Sequence, residues 1–166
     1  EQFRLRHALL HEQLATLTSQ VTTLTETLQT LTGHVNLLRG ESLEQRYRTK
    51  GPSYFGRLLR GTHVLSSDEV VSVVEAAEAQ GLLTAAETQD IYEADVIVRG
   101  RRREDGLAVY LVVEVSVGVG PYDVERAARR AQLLARTGVT TLPVVAGTWV
   151  IPEGTDLLSA PWRTEY

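Results

Sequence analysis

Residues 94–120 read ADVIVRGRRREDGLAVYLVVEVSVGVG, and the fold turns on them. Asp95 to Arg99 and the β-branched run Ala108 to Val117, bounded by turn residues, both read as strands. Asp105-Gly106 between them is a hairpin signal. With those two residues as the loop, Asp95 faces Ser116, and Glu114 lies diagonal to Asp95 on the same face. Diagonal neighbours are roughly 7–8 Å apart at the backbone, close enough for two inward carboxylates to share one divalent ion. Glu114 also interrupts the apolar run of Val112, Val113, Val115 and Val117. A carboxylate buried there is costly unless it is paired or metal-bound, which marks Glu114 as functional. The structural alternatives are an ion pair between Glu114 and an arginine such as Arg126, and a strand-start turn contact for Asp95.

Working outward, Asp123 to Thr137 reads as a helix ended by Gly138, and Thr140 to Ala146 as a buried strand. Trp149 to Ile151 adds a short strand, and Asp156 to Ala160 at most one helical turn. Upstream, His63-Val64-Leu65 is a short strand. Ser66 to Glu69 supplies cap-type residues for a helix over Asp68 to Ala79, and Thr84 with Glu87 caps another running to about Tyr92. Glu41 to Leu59 is amphipathic and bends near Gly51-Pro52. This order predicts an α/β sandwich, a mixed sheet flanked by helices.

Ahead of it, apolar residues step by three and four: Leu14, Val21, Leu28 and Val35 at position a, and Phe3, Leu10, Leu17, Leu24, Leu31 and Leu38 at d. Only His7 breaks the a register. A strict 3.5-residue repeat keeps one seam toward a partner helix, so residues 1–39 are expected to form a coiled coil roughly 55 Å long. A helix packed on its own domain would carry a wider apolar face, whereas e and g here are mostly Thr, Gln, His and Arg. Branched and leucine residues at a with leucine at d favour a parallel dimer through residues 3–38; sparse e and g charges leave a trimer open. His7 and His11 have metal-ligand spacing but lie near a helix end. Gly40 is expected to close the rod, leaving residues 41–166 as the second domain.

Composition narrows the chemistry. No cysteine or methionine occurs, which excludes disulfides and thiolate sites, and the absent methionine at position 1 suggests a piece of a longer chain. Lys50 is the only lysine. The net charge of −4 argues against bulk capture of nucleic acid. No secretory pattern or spanning run is visible, so the expectation is a cytoplasmic protein without a membrane partner. Arg99, Arg101, Arg102 and Arg103 cluster at the hairpin tip, where they could grip phosphates or merely keep an edge from pairing. Gly118-Val119-Gly120 sits where a dinucleotide fingerprint would, but Asp123 replaces its third glycine.

Asp95 on one strand and Glu114-Val115-Ser116 on the next, followed by a helix and a strand, resembles the PD-(D/E)XK nuclease superfamily over about Glu41 to Gly147. Members have the restriction-endonuclease-like fold, and uncharacterised bacterial ones carry a coiled coil in front. The resemblance implies that Asp95, Glu114 and the Val115 carbonyl bind Mg2+ or Mn2+, with Glu44, or else Glu41, completing the site from the first helix. It implies a hydrolase cutting nucleic acid. The family lysine is replaced by Ser116, which can hydrogen-bond but carries no charge, so positive charge would come from Arg126, Arg129, Arg130 or Lys50. The departure leaves open a catalytically decayed scaffold or a DNA- or partner-binding protein.

Overall fold

The structure, a computed structural model, describes residues 2–151. Two compact units divide between Arg39 and Gly40. The first is entirely helix, part of α1 (Gln2–Thr49), and none of its described residues is buried. Leu14, Leu17, Leu24 and Leu28 along the a and d stripe are each more than half exposed.

The second unit holds the end of α1, then α2 (Gly51–Phe55), β1 (Leu59–Val64), α3 (Ser67–Ala79), α4 (Ala85–Tyr92), β2 (Val96–Arg102), β3 (Ala108–Val119), α5 (Pro121–Ala135) and β4 (Thr141–Val150). The sheet order is β1-β2-β3-β4. β1, β2 and β3 form an antiparallel meander, and β4 lies parallel to β3 after the α5 crossover. One face packs Ile97 and Val112 against α3, α4 and α5 through Val74, Ile91, Ala131 and Leu134. The other packs Val96, Val98, Leu111 and Val113 with Phe55 and Tyr47. The observed class is therefore α/β, a mixed sheet flanked by helices. The long apolar run of β3 follows from burial on both faces, as a strand with a parallel neighbour requires.

Several boundaries differ from the sequence reading. Gly40 does not end the rod: α1 runs through Gly33 and Gly40 to Thr49. A terminating glycine adopts the left-handed conformation, and the glycines that do so are Gly61, Gly81, Gly106 and Gly138. The break comes instead at Lys50-Gly51-Pro52, where α2 restarts with proline in its first turn. β1 begins at Leu59, four residues earlier than expected, with an irregularity between Arg60 and His63 at the left-handed Gly61. β4 is one strand rather than two. Ser66 with Glu69 and Thr84 with Glu87 each form the reciprocal cap. The turn expected at Asp156 to Ala160 lies outside the described residues.

Gly147 sits against β3 so closely that a Cβ there would meet the Ser116 carbonyl oxygen and come within 2.6 Å of Val119 Cγ2. Backbone cannot yield as a flexible side chain can. Gly147→Ala is expected to destabilise the fold by about 1–3 kcal/mol, measured by urea unfolding; stability equal to the parent would show that β3 and β4 do not approach this closely.

Candidate active site

The hairpin register places the two acidic residues. Val96 pairs with Val113 and Arg101 with Ala108, which sets Asp95 opposite Glu114 rather than Ser116. The reason is the turn. Arg102 N–H donates to the Leu107 carbonyl and Gly106 N–H to the Arg102 carbonyl, both at 2.8 Å, with Gly106 left-handed. The loop is thus longer than Asp105-Gly106 alone. Strand faces repeat every two residues, so a two-residue shift keeps both carboxylates on one face. It also brings them closer, since opposed Cβ atoms lie roughly 4.5–5.5 Å apart.

Asp95 Oδ2 accepts the Val115 N–H at 2.6 Å. The N–H and C=O of a strand residue project to the same side, so the Val115 carbonyl also looks toward Asp95. Glu114 has no solvent exposure. Its Oε1 accepts from Arg130 Nη1 at 2.7 Å. Arg126 Nη2 lies 3.2 Å from Oε2 but is not aligned to donate, and Oε2 and Arg126 Nε both lack a hydrogen bond. Arg130, itself only 4% exposed, also donates to Asp90 Oδ1 at 3.0 Å and to the Glu93 carbonyl at 2.8 Å. Arg129 binds Asp90 as well, at 2.7 and 3.0 Å.

Arg126, the arginine expected for Glu114, lies at ion-pair distance, but the aligned donor is Arg130, itself held by Asp90 and the Glu93 carbonyl. A signal existed: Ala127, Arg130, Ala131 and Leu134 are the buried residues of α5. An arginine in register with a helix's apolar face needs a buried acid.

The remaining candidates divide. Glu44 stands near enough for its charge to act on Asp95, while its carboxylate pairs with Arg48 at 2.8 Å. Glu41 is exposed. Ser116 is half-buried, and its hydroxyl donates to the Gly118 carbonyl at 2.9 Å, along its own strand. Arg101, Arg102 and Arg103 lie at the other end of the hairpin, roughly 20 Å away by strand length. Arg102 is paired with Asp105, Arg103 donates to the Gly56 carbonyl at 2.6 Å, and Arg101 to the Gly106 carbonyl at 3.3 Å. The tip arginines thus stand away from the acid pair, because the loop projects from the opposite end of β2 and β3.

Burial pushes the Glu114 carboxyl above the ordinary range, and Asp95 adds to this against the pull of Arg130 and Arg126. Burial likewise raises Asp95, reinforced by Glu44 and opposed by the Val115 N–H and the two arginines. By contrast, Arg129 and Arg130 outweigh burial and hold Asp90 below its usual range.

No family model, curated protein or solved structure matches the chain.

The donor set fits a small hard cation in one respect. Glu114 Oε2 is a buried carboxyl oxygen with no hydrogen bond, and Asp95, close enough for its charge to act on Glu114, offers a second oxygen donor, the ligand type Mg2+ and Mn2+ take. Arg130 would hold the other Glu114 oxygen as an outer partner. Arg126 must yield for an ion to reach Oε2. It has other partners in Asp123 Oδ1 at 2.9 Å and the Tyr122 ring at 5.2 Å. Among the described residues no three His, Cys, Asp or Glu side chains gather closely enough to cage a metal by themselves, so waters or substrate oxygens would complete the shell.

A carboxyl whose folded pKa is raised keeps its proton longer in the fold than in the unfolded chain. Its contribution to stability therefore falls as pH rises from the ordinary value through the raised one. Asp95→Asn, which can still accept from Val115, is expected to be more stable than the parent at pH 7. The advantage should vanish below about pH 4. Urea unfolding at the two pH values checks this, and a variant less stable at pH 7 would make Asp95 a structural anchor.

Proposed function

We propose that this chain is a divalent-metal-dependent nuclease-like protein of the PD-(D/E)XK type, held as a parallel dimer by its N-terminal coiled coil. The observation that carries the reading is Glu114 Oε2, a water-excluded carboxylate oxygen without a hydrogen bond, facing a second carboxylate whose own pKa is raised. Such pairs cost stability and recur at functional sites. The element order supports it too: leaving aside α2 and the two helices inserted between β1 and β2, a first helix, three antiparallel strands, a crossover helix and a parallel fourth strand suit the restriction-endonuclease-like fold that the resemblance implies.

In this reading Asp95, Glu114 and the Val115 carbonyl hold Mg2+ or Mn2+, with Glu44 as the outlying acid. The ion would supply an activated water and stabilise charge on the phosphate. Arg130 fixes the Glu114 rotamer. Arg126, displaced from Oε2, would offer its guanidinium to a phosphate oxygen in place of the motif lysine; it cannot serve as a base. Ser116 keeps to its strand and would contribute no charge.

A second reading has support of its own. Arg130 already neutralises Glu114 at 2.7 Å, and serine stands where the lysine would be. Both features suit a catalytically silent scaffold that uses the same fold to bind a partner. The hairpin-tip arginines as a DNA-binding patch have less support, since Arg102 and Arg103 are already engaged.

Incubation with plasmid and single-stranded DNA in Mn2+, beside Glu114→Ala and Glu114→Gln, separates these readings. Cleavage should fall on the order of a hundredfold or more in both variants, read on protein that circular dichroism shows to be folded. No cleavage by the folded parent, or equal cleavage by the variants, sinks the nuclease reading.

The oligomer rests on the exposed heptad seam. Its apolar stripe has no partner within its own unit, and a threonine-rich helix of this length is not stable alone in water. Leu17→Asp combined with Leu24→Asp should convert a dimer to a monomer in sedimentation equilibrium and reduce the helical signal. An unchanged mass would exclude the seam as the interface.

A further inference from the structure

Two exposed aromatic rings stand on β4 and α5, the elements packed beside β3, and neither has a role in the chemistry above. Trp149 is 51% exposed and Tyr122 67%. Trp149, near the end of β4, is paired with Gly118 of β3. Its indole lies on the Gly118 backbone, with ring carbons 2.7–3.0 Å from where a Cβ would stand. Only glycine lets the ring lie that flat. By strand alternation this is the face that carries Glu114 and Ser116. Tyr122 stands in the first turn of α5, and its ring rests against the Arg126 guanidinium at 5.2 Å. That same guanidinium reaches to 3.2 Å from Glu114 Oε2. One path of contacts therefore runs from the buried acid through a cation to an exposed ring, and a second ring, from β4, lies over Gly118, four residues beyond Glu114 on β3.

We propose that Trp149 and Tyr122 are a stacking platform for unpaired nucleobases, so that the strand bound at this site is single-stranded nucleic acid. This rests on the nuclease reading for its phosphate chemistry and adds the substrate class. Exposed π-faces beside a guanidinium fit an unpaired base and its phosphate, since base–aromatic stacking tolerates every sequence and the cation tracks the backbone. A duplex buries its base faces in its own stack and offers the platform nothing.

The test uses the full chain carrying Trp162→Phe, which leaves Trp149 as the sole tryptophan, with EDTA present so that nothing is cut. Oligothymidylate should quench Trp149 emission, while a duplex of equal length should not. Trp149→Ala and, independently, Tyr122→Ala should each weaken oligothymidylate binding roughly five- to hundredfold, as expected for loss of one base stack. Tyr122 is exposed at a helix start, so its variant keeps the test sound if Trp149→Ala perturbs β4. Absence of quenching, equal quenching by the duplex, or unchanged affinity in both variants overturns the platform. So does a changed sedimentation mass in Trp149→Ala, which would mean that a second copy covers the ring. Single-strand binding without Mn2+ cleavage would sink the nuclease reading and leave the platform standing. Glu114-dependent cleavage indifferent to both rings would do the reverse.

Discussion

A carboxylate with no solvent exposure lies in the central strand of this domain, and the surrounding elements are placed to make that tolerable. Glu114 would be prohibitively costly alone in a dry sheet. Arg130 meets it at 2.7 Å, but a buried guanidinium needs its own acceptors. Asp90 and the Glu93 carbonyl, at the end of α4, provide them. One strand residue thus ties β3 to α5 and α5 to α4. Removing one member leaves the others charged and dry, whereas an apolar replacement of the whole set could be as stable. That asymmetry suggests that the network is kept for what it positions rather than for the stability it adds.

What it positions is an unequal pair of oxygens. Oε1 of Glu114 is held, while Oε2 has a charge nearby and no hydrogen bond. Across the hairpin, Asp95 is similarly divided, with one oxygen on the Val115 amide. The arrangement depends on the loop beyond β2. A left-handed Gly106 and the Asp105 carboxylate, held at about 2 by Arg102, set a wider turn than the Asp-Gly pair suggests. That turn, some 20 Å away by strand length, decides that Asp95 meets Glu114 head-on.

The helical rod follows different rules. Its stripe of a and d residues is legible from spacing alone, and a 3.5-residue period is the pattern that a buried seam would require. Many of its threonines return their hydroxyls to the carbonyl four residues back, as Thr18 does to Leu14 and Thr25 to Val21. They satisfy themselves locally and leave the leucines as an exposed apolar stripe.

The sequence by itself determined everything that depends on local period. The heptads, the reciprocal caps at Ser66 and Thr84, the strands β2 and β3 and the crossover helix were all readable from spacing. The shared face of Asp95 and Glu114 was readable too, because side-chain direction repeats every two residues and survives a two-residue slip. Only the tertiary structure decided the rest. Gly40 stays helical because glycine permits the left-handed conformation without requiring it, and the chain continues as helix to Thr49. Leu59 and Arg60 join β1 because Arg102 and Arg101 of β2 pair with them. Arg130 finds Glu114 across 16 positions and Asp90 across 40. Such partners are chosen by packing, which brings together residues whose separation along the chain carries no periodic trace.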